Sequence, residues 1–155
     1  MNSIVVYASR HGNTEKIAYA IAAGLRRGGP VQVYEVAQAP VEVAEDLDLF
    51  VVGGPTEAHG LTPPVAEYLD RLATVPAQAA SFDTRLRMPR WLSGSAAIAI
   101  MRRLRSLGAK QAAEPISFFV AADKVPALEA GELERAEAWA MALVEAQAPA
   151  AMASA

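Results

Sequence analysis

With 155 residues, 53% of them hydrophobic and 20% charged, the chain has the size and apolar content of one domain with a full core. It has no cysteine, which excludes a disulfide scaffold, a thiolate metal site, an iron–sulfur cluster and a cysteine nucleophile, and which fits a cytosolic setting. The net charge of −3 singles out no class of partner. No apolar run approaches the ~18 residues needed to span a bilayer, and Met1-Asn2-Ser3 lacks the basic start of a leader peptide.

Ile4–Ala8 is continuously apolar, as a central parallel strand covered on both faces should be. Thr14–Arg27 reads as a helix with Ile17, Ala18, Ile21, Ala22 and Leu25 on one side, stopped by Gly28-Gly29-Pro30. Val31–Val36 alternates apolar and polar residues and suits a strand nearer the sheet edge. A weak segment at Val41–Leu47 reads as one or two helical turns. Asp48–Thr56 is a third strand ending in a glycine-rich turn. Thr62 is placed as an N-cap before Pro63-Pro64, which open a helix buried through Val65, Leu69 and Leu72. Ala79–Phe82 is a short fourth strand, Arg85–Gly94 a loop, and Ser95–Leu107 a helix closed by Gly108. Pro115–Ala121 is the fifth strand and Gly131–Ala146 the last helix. Residues 1–147 form one domain, and the Ala-rich, Pro-broken stretch 148–155 is expected to fray.

Strands alternating with helices predict an α/β fold: a single doubly wound, five-stranded parallel sheet in the order 2-1-3-4-5. Ligands of such sheets bind beyond the carboxyl ends of the strands, at the switch point between strands one and three. Three unusual loops converge there: Ser9–Thr14, Pro55–Gly60 and Asp83–Gly94. In the first, a polar turn with one glycine leads into a helix, so backbone N–H groups and the helix dipole favour a phosphate. It contains neither Gly-x-Gly-x-x-Gly nor Gly-Lys-Ser/Thr. Ser93-Gly94-Ser95 does not make a hydrolase nucleophile elbow. The places where a phospho-receiver needs carboxylates hold Ser9-Arg10 and Gly53-Gly54-Pro55. His11 and His59 alone make a poor metal site.

Half of the chain's 14 Lys and Arg fall between Arg85 and Lys110, with no acidic residue among them. This is either a solvated helix face or a docking patch for an anionic partner. With Trp91 as the only interleaved aromatic, a nucleic-acid groove is not expected.

The first loop resembles the phosphate loop of flavodoxins, Ser/Thr-x-Thr-Gly-x-Thr: Ser9, Gly12 and Thr14 match, and His11 stands where that family has threonine. Val51–Thr56 is similar to the family's third strand and turn, and element order and length agree from Ile4 to about Val144. The resemblance implies FMN as cofactor and electron transfer to a redox partner protein, which could dock on the basic stretch. Ser9, Arg10, His11, Gly12, Asn13 and Thr14 would hold the phosphate. Pro55, Thr56, Glu57, Ala58, His59 and Gly60 would flank the ring, with Gly60 allowing a backbone flip toward it. Asp83 and Thr84 would meet the ring's pyrimidine edge, Arg85 would flank the ring or pair with Asp83, and Trp91 would stack on its face. The third loop departs from the family's glycine-rich, acidic pattern; a basic loop favours reduced, negatively charged flavin. Two alternatives stay open: an FMN-dependent oxidoreductase acting on a small substrate of quinone or protoporphyrinogen type, and a binding module of the same fold that has lost flavin.

Overall fold

The computed structural model describes the backbone of residues 1–153 and the side chains of residues 1–147. Its strands are β1 Ser3–Tyr7, β2 Val31–Glu35, β3 Leu49–Pro55, β4 Gln78–Leu86, β5 Lys110–Gln111, β6 Ile116–Ala121 and β7 Ala127–Leu128. The helices are α1 Asn13–Leu25, α2 Pro63–Arg71, α3 Arg90–Ser93, α4 Ala96–Ser106 and α5 Glu132–Ala153. The sheet runs β2-β1-β3-β4-β6-β7, with β5 also paired to β4. Every pairing is parallel except β6–β7.

The expected order 2-1-3-4 is present, and β6 takes the fifth place. The count differs: the sheet has seven strands, not five. The fifth strand is broken in two, because β5 and β6 both pair with β4 and residues 112–115 interrupt them. β7 returns antiparallel on β6 as a short hairpin. Segments this brief leave no periodic trace in a sequence.

Side chains alternate across the strands, which splits the core into two layers. Val5, Tyr7, Leu49 and Val51 meet Ile17, Ile21 and Leu25 of α1 and Ala136, Ala140 and Leu143 of α5. Val6, Phe50 and Val52 meet Tyr68 and Leu69 of α2 and Ile100 and Leu104 of α4. Each fully buried Ile, Leu or Phe contributes about 1.5–3 kcal/mol relative to exposure, so the continuous apolar runs of β1 and β3 anchor the sheet. Trp139 packs on Phe118, ring centroids 6.4 Å apart, as part of the same core.

Two expectations are corrected. Residues 41–47 form turns and no helix. β4 is not a four-residue strand: it runs nine residues, to Leu86, and takes Asp83, Thr84 and Arg85 out of the expected loop. Polar residues end a strand only if their side chains need water, and these three are buried, at 0%, 5% and 8% exposure, with protein partners. At the other end of the chain α5 extends past Ala146 to Ala153. The tail expected to fray lies outside the described side chains, and residues 154–155 outside the described backbone.

Candidate functional site

The register places Tyr7 beside Gly53 and Pro55 beside Thr84, so the carboxyl ends of β1, β3 and β4 form one ledge. Above it lies a cavity of about 560 Å³. Its wall is built from Arg10, His11, Asn13 and Thr14, from Pro55, Thr56 and Glu57, and from Thr84 and Arg85.

The first wall is the loop into α1. Gly12 has φ 88°, a left-handed conformation that glycine adopts without strain. Its N–H donates to the Ser9 hydroxyl oxygen at 3.1 Å. No side chain caps α1, so the N–H groups of its first turn remain for an incoming acceptor. A Cβ built on Gly12 meets no atom within 4 Å; the space in front of this backbone is open. Asn13 and Thr14 use their side chains differently from expectation. The Asn13 amide donates to the Pro126 carbonyl at 2.7 Å, and the Thr14 and Thr84 hydroxyls share a hydrogen bond of 2.8 Å. Both residues are buried and tie the loop to the β6–β7 loop and to β4, leaving backbone, Arg10 and His11 to face an anion.

The second wall is the turn after β3. Glu57 and Gly60 exchange backbone hydrogen bonds of 3.1 and 2.9 Å, and Ala58 and His59 have φ of 47° and 70°. This is a two-residue hairpin turn of type I′ on two residues that disfavour it. Gly60 therefore stands outside the strained centre of the turn. Glu57 receives Arg10 in an ion pair of 2.8 Å that bridges the two loops. On the far side of this bridge is a smaller cavity of about 310 Å³, onto which Ser9 opens with Thr62. Thr62 holds the N-cap position of α2, but its buried hydroxyl makes no cap bond and has no partner.

Behind the turn, the fully buried Asp83 is not on the cavity wall. Its Oδ2 accepts from the Thr56 hydroxyl at 3.0 Å, the Ser95 hydroxyl at 2.7 Å and the Ala97 N–H at 3.0 Å. It fastens the second loop to the start of α4. Arg85 does reach the cavity, and it is held from behind. Nε donates to the Ser117 hydroxyl at 2.9 Å, and Nη1 donates to the Met88 carbonyl at 2.6 Å and the Ser93 hydroxyl at 3.1 Å. The third loop wraps around this guanidinium. Burial lowers the Arg85 pKa from its ordinary value, and Asp83, 4.0 Å away, opposes the shift. Nη2 has no partner among the described residues, which leaves two donors for a ligand.

Trp91 does not reach the site: it stands on α3, 81% exposed. No phenylalanine, tyrosine or tryptophan is among the residues lining the cavity. The fourth wall, Val120, Ala122, Asp123, Lys124 and Pro126, comes from the β6–β7 loop and was absent from the sequence reading. The signal existed, because the loop after any parallel strand emerges at the same carboxyl edge.

A family model for the flavodoxin domain matches residues 4–82, the stretch that carries the first two loops. The chain belongs to the flavodoxin-domain family. No curated protein sequence matches it. Among solved structures, oxidised Flavodoxin 1 from Bacillus cereus is similar at TM-score 0.76 and 20% identity, over 94% of this chain and 98% of that one. A flavodoxin from the domain Archaea gives 0.73 and 21%, over 94% and 97%. The rubredoxin:oxygen oxidoreductase of Desulfovibrio gigas gives 0.71 and 19% over 94% of this chain, which corresponds to 35% of that larger one. Flavodoxin domains hold a flavin and transfer electrons. The open glycine cradle at the uncapped end of α1 and the free donors of Arg85 fit such an anionic, hydrogen-bonding cofactor.

Proposed function

We propose that the protein binds FMN in the 560 Å³ cavity and passes electrons to a partner protein in the cytoplasm. The observation that carries this reading is the first loop: left-handed Gly12, with open space before it, at the helix end that no side chain caps. Ser9 shapes that loop by accepting the Gly12 N–H, the N–H groups of Asn13 and Thr14 face the phosphate, and Arg10 and His11 add donors at the rim. The β3 turn and Arg85 border the ring. The flavin, when bound, supplies the redox chemistry; the chain binds it, orients it and limits its contact with water. Among the described residues no helix is long and apolar enough to cross a membrane.

A second reading, the fold without flavin, is favoured by a cavity wall without phenylalanine, tyrosine or tryptophan. One experiment separates the two. The protein is mixed with FMN, desalted, and its visible spectrum recorded beside that of Gly12→Val. The expected result is retained FMN in the parent protein. In the variant, a branched side chain enters the anion space at a backbone angle it disfavours, and affinity falls by on the order of a hundredfold or more. Each charge-assisted hydrogen bond lost costs about 1.5–3 kcal/mol. Unfolding curves of both proteins check that the variant folds. A colourless parent protein, or a variant that keeps FMN equally well, overturns the proposal.

A further inference from the structure

The basic stretch divides into charges already engaged and charges left over. Arg85 is buried under the third loop and turns its remaining donors to the cavity. Arg87 lies 4.1 Å above the Phe119 ring and pairs with Glu129 at 2.9 Å, and Arg103 pairs with Asp70 at 2.5 Å. Arg90, Arg102 and Arg105 are exposed and make no ion pair or side-chain hydrogen bond among the described residues. They line one groove of about 570 Å³ between α4 and the break separating β5 from β6, with Ile98 and Met101 also on its wall and one acid, Glu114, against three arginines.

The row is long. Arg102 and Arg105 are one helical turn apart, about 5 Å, and Arg102 lies about 9 Å along the axis from Ala96, where α4 begins. Arg90 stands before that start, on α3. A row of this length suits a series of anionic groups, and planar guanidinium groups match carboxylates with paired donors.

The apolar surface is placed beside it. Of the eight large hydrophobic residues exposed among the described ones, Leu86 ends β4, and Met88, Trp91 and Leu92 follow it in the third loop and α3. Val125 lies between Lys124 and Pro126, both on the cavity wall. Leu86 itself lines the cavity. An exposed aromatic knob next to unpaired arginines has the composition of an interface centre.

We propose that this face docks an acidic electron-transfer protein, with carboxylates along Arg90, Arg102 and Arg105 and an apolar contact on Trp91 and Leu92. The inference rests on the flavin reading, since Leu86 makes the apolar patch continuous with the cavity where FMN would sit. Opposite charge would steer the partner onto the face and make the association sensitive to salt. A nucleic acid is disfavoured, because Trp91 offers one stacking surface and the molecule as a whole is negative.

The test is calorimetric titration at low and moderate salt, with an acidic plant-type ferredoxin as probe and basic cytochrome c as control. It is run on the protein with and without FMN. The expected result is that ferredoxin binds, more weakly as salt rises. The triple variant Arg90→Glu/Arg102→Glu/Arg105→Glu and the single variant Trp91→Ala are each expected to weaken binding tenfold or more. Both should leave the FMN spectrum and the unfolding curve unchanged. The proposal is overturned if ferredoxin fails to bind, if cytochrome c binds more tightly, if the variants bind like the parent, or if sedimentation shows that the face instead joins two copies of this chain. Ferredoxin binding by a protein that retains no FMN would sink the flavin reading and leave the docking surface standing.

Discussion

At the scale of single residues, a few buried polar groups arrange everything around the cavity. Asp83 collects three donors while fully buried. Asp83→Ala would leave the Thr56 and Ser95 hydroxyls and the Ala97 N–H without their acceptor. We expect it to cost about 3 kcal/mol or more in urea unfolding, because unpaired buried donors carry their desolvation penalty. Asp83→Asn, which keeps an acceptor oxygen, should cost less. The turn of the first loop was legible, because a lone glycine between a buried strand and a helix marks a left-handed backbone turn, as Gly12 makes. Asp83 and Trp91 were not legible. Polarity marks a residue as needing a partner without saying whether that partner is a ligand or Ser95. An aromatic ring marks apolar area without saying which way it points. The orientation of both follows from β4 running on to Leu86, which no local pattern announced.

At the scale of elements, the turn after β3 is the most strained piece of backbone described. A type I′ turn wants Asn-Gly, and this one carries Ala58-His59. Holding a residue other than glycine, asparagine or aspartate in the left-handed region costs about 1 kcal/mol or more. Ala58→Asn combined with His59→Gly should therefore raise the melting temperature by about 2–4 °C, measured by calorimetry on the FMN-free protein. An unchanged or lowered value would mean that the turn takes another shape in solution. The strands and helices that could be read from sequence were those with an unbroken apolar run or a five-position helical stripe, as in β1 and α1. Those that were missed, β5 and β7, are two residues long and exist because β4 and β6 offer them hydrogen-bonding edges. Tertiary pairing created them, and local sequence could not.

For the molecule as a whole, burial of phenols sets the alkaline limit. Tyr68 is buried, and desolvation pushes its pKa up to about 12, against a smaller opposing effect of Arg71. Tyr7 also rises to about 12, first through burial and then through its hydrogen bond to Glu15. In both cases the folded value exceeds the unfolded value of about 10. The stability they contribute is complete below pH 10, declines as pH rises beyond it, and is gone above about 12. An absorbance titration near 295 nm should thus show two of the chain's four tyrosines ionising late, with unfolding setting in over the same interval. Ionisation of Tyr7 and Tyr68 near 10 would contradict the packing described for α2 and β1. The large-scale architecture was readable because apolar runs, helical stripes and glycine stops agree on one topology.

One close approach ties the second loop to the third. A side chain at Gly94 would lie 2.0 Å from the His59 carbonyl oxygen, so the strained turn and the end of α3 are in direct backbone contact. The next residue, Ser95, caps α4 with a 3.4 Å bond from Ile98 N–H and also holds Asp83. No flexible side chain lies between them to absorb a shift. The turn thus has a direct backbone route to the start of α4, the helix that carries Arg102 and Arg105. The reverse holds equally: whatever factor an occupant of one place adds to the affinity at the other, it receives back in its own.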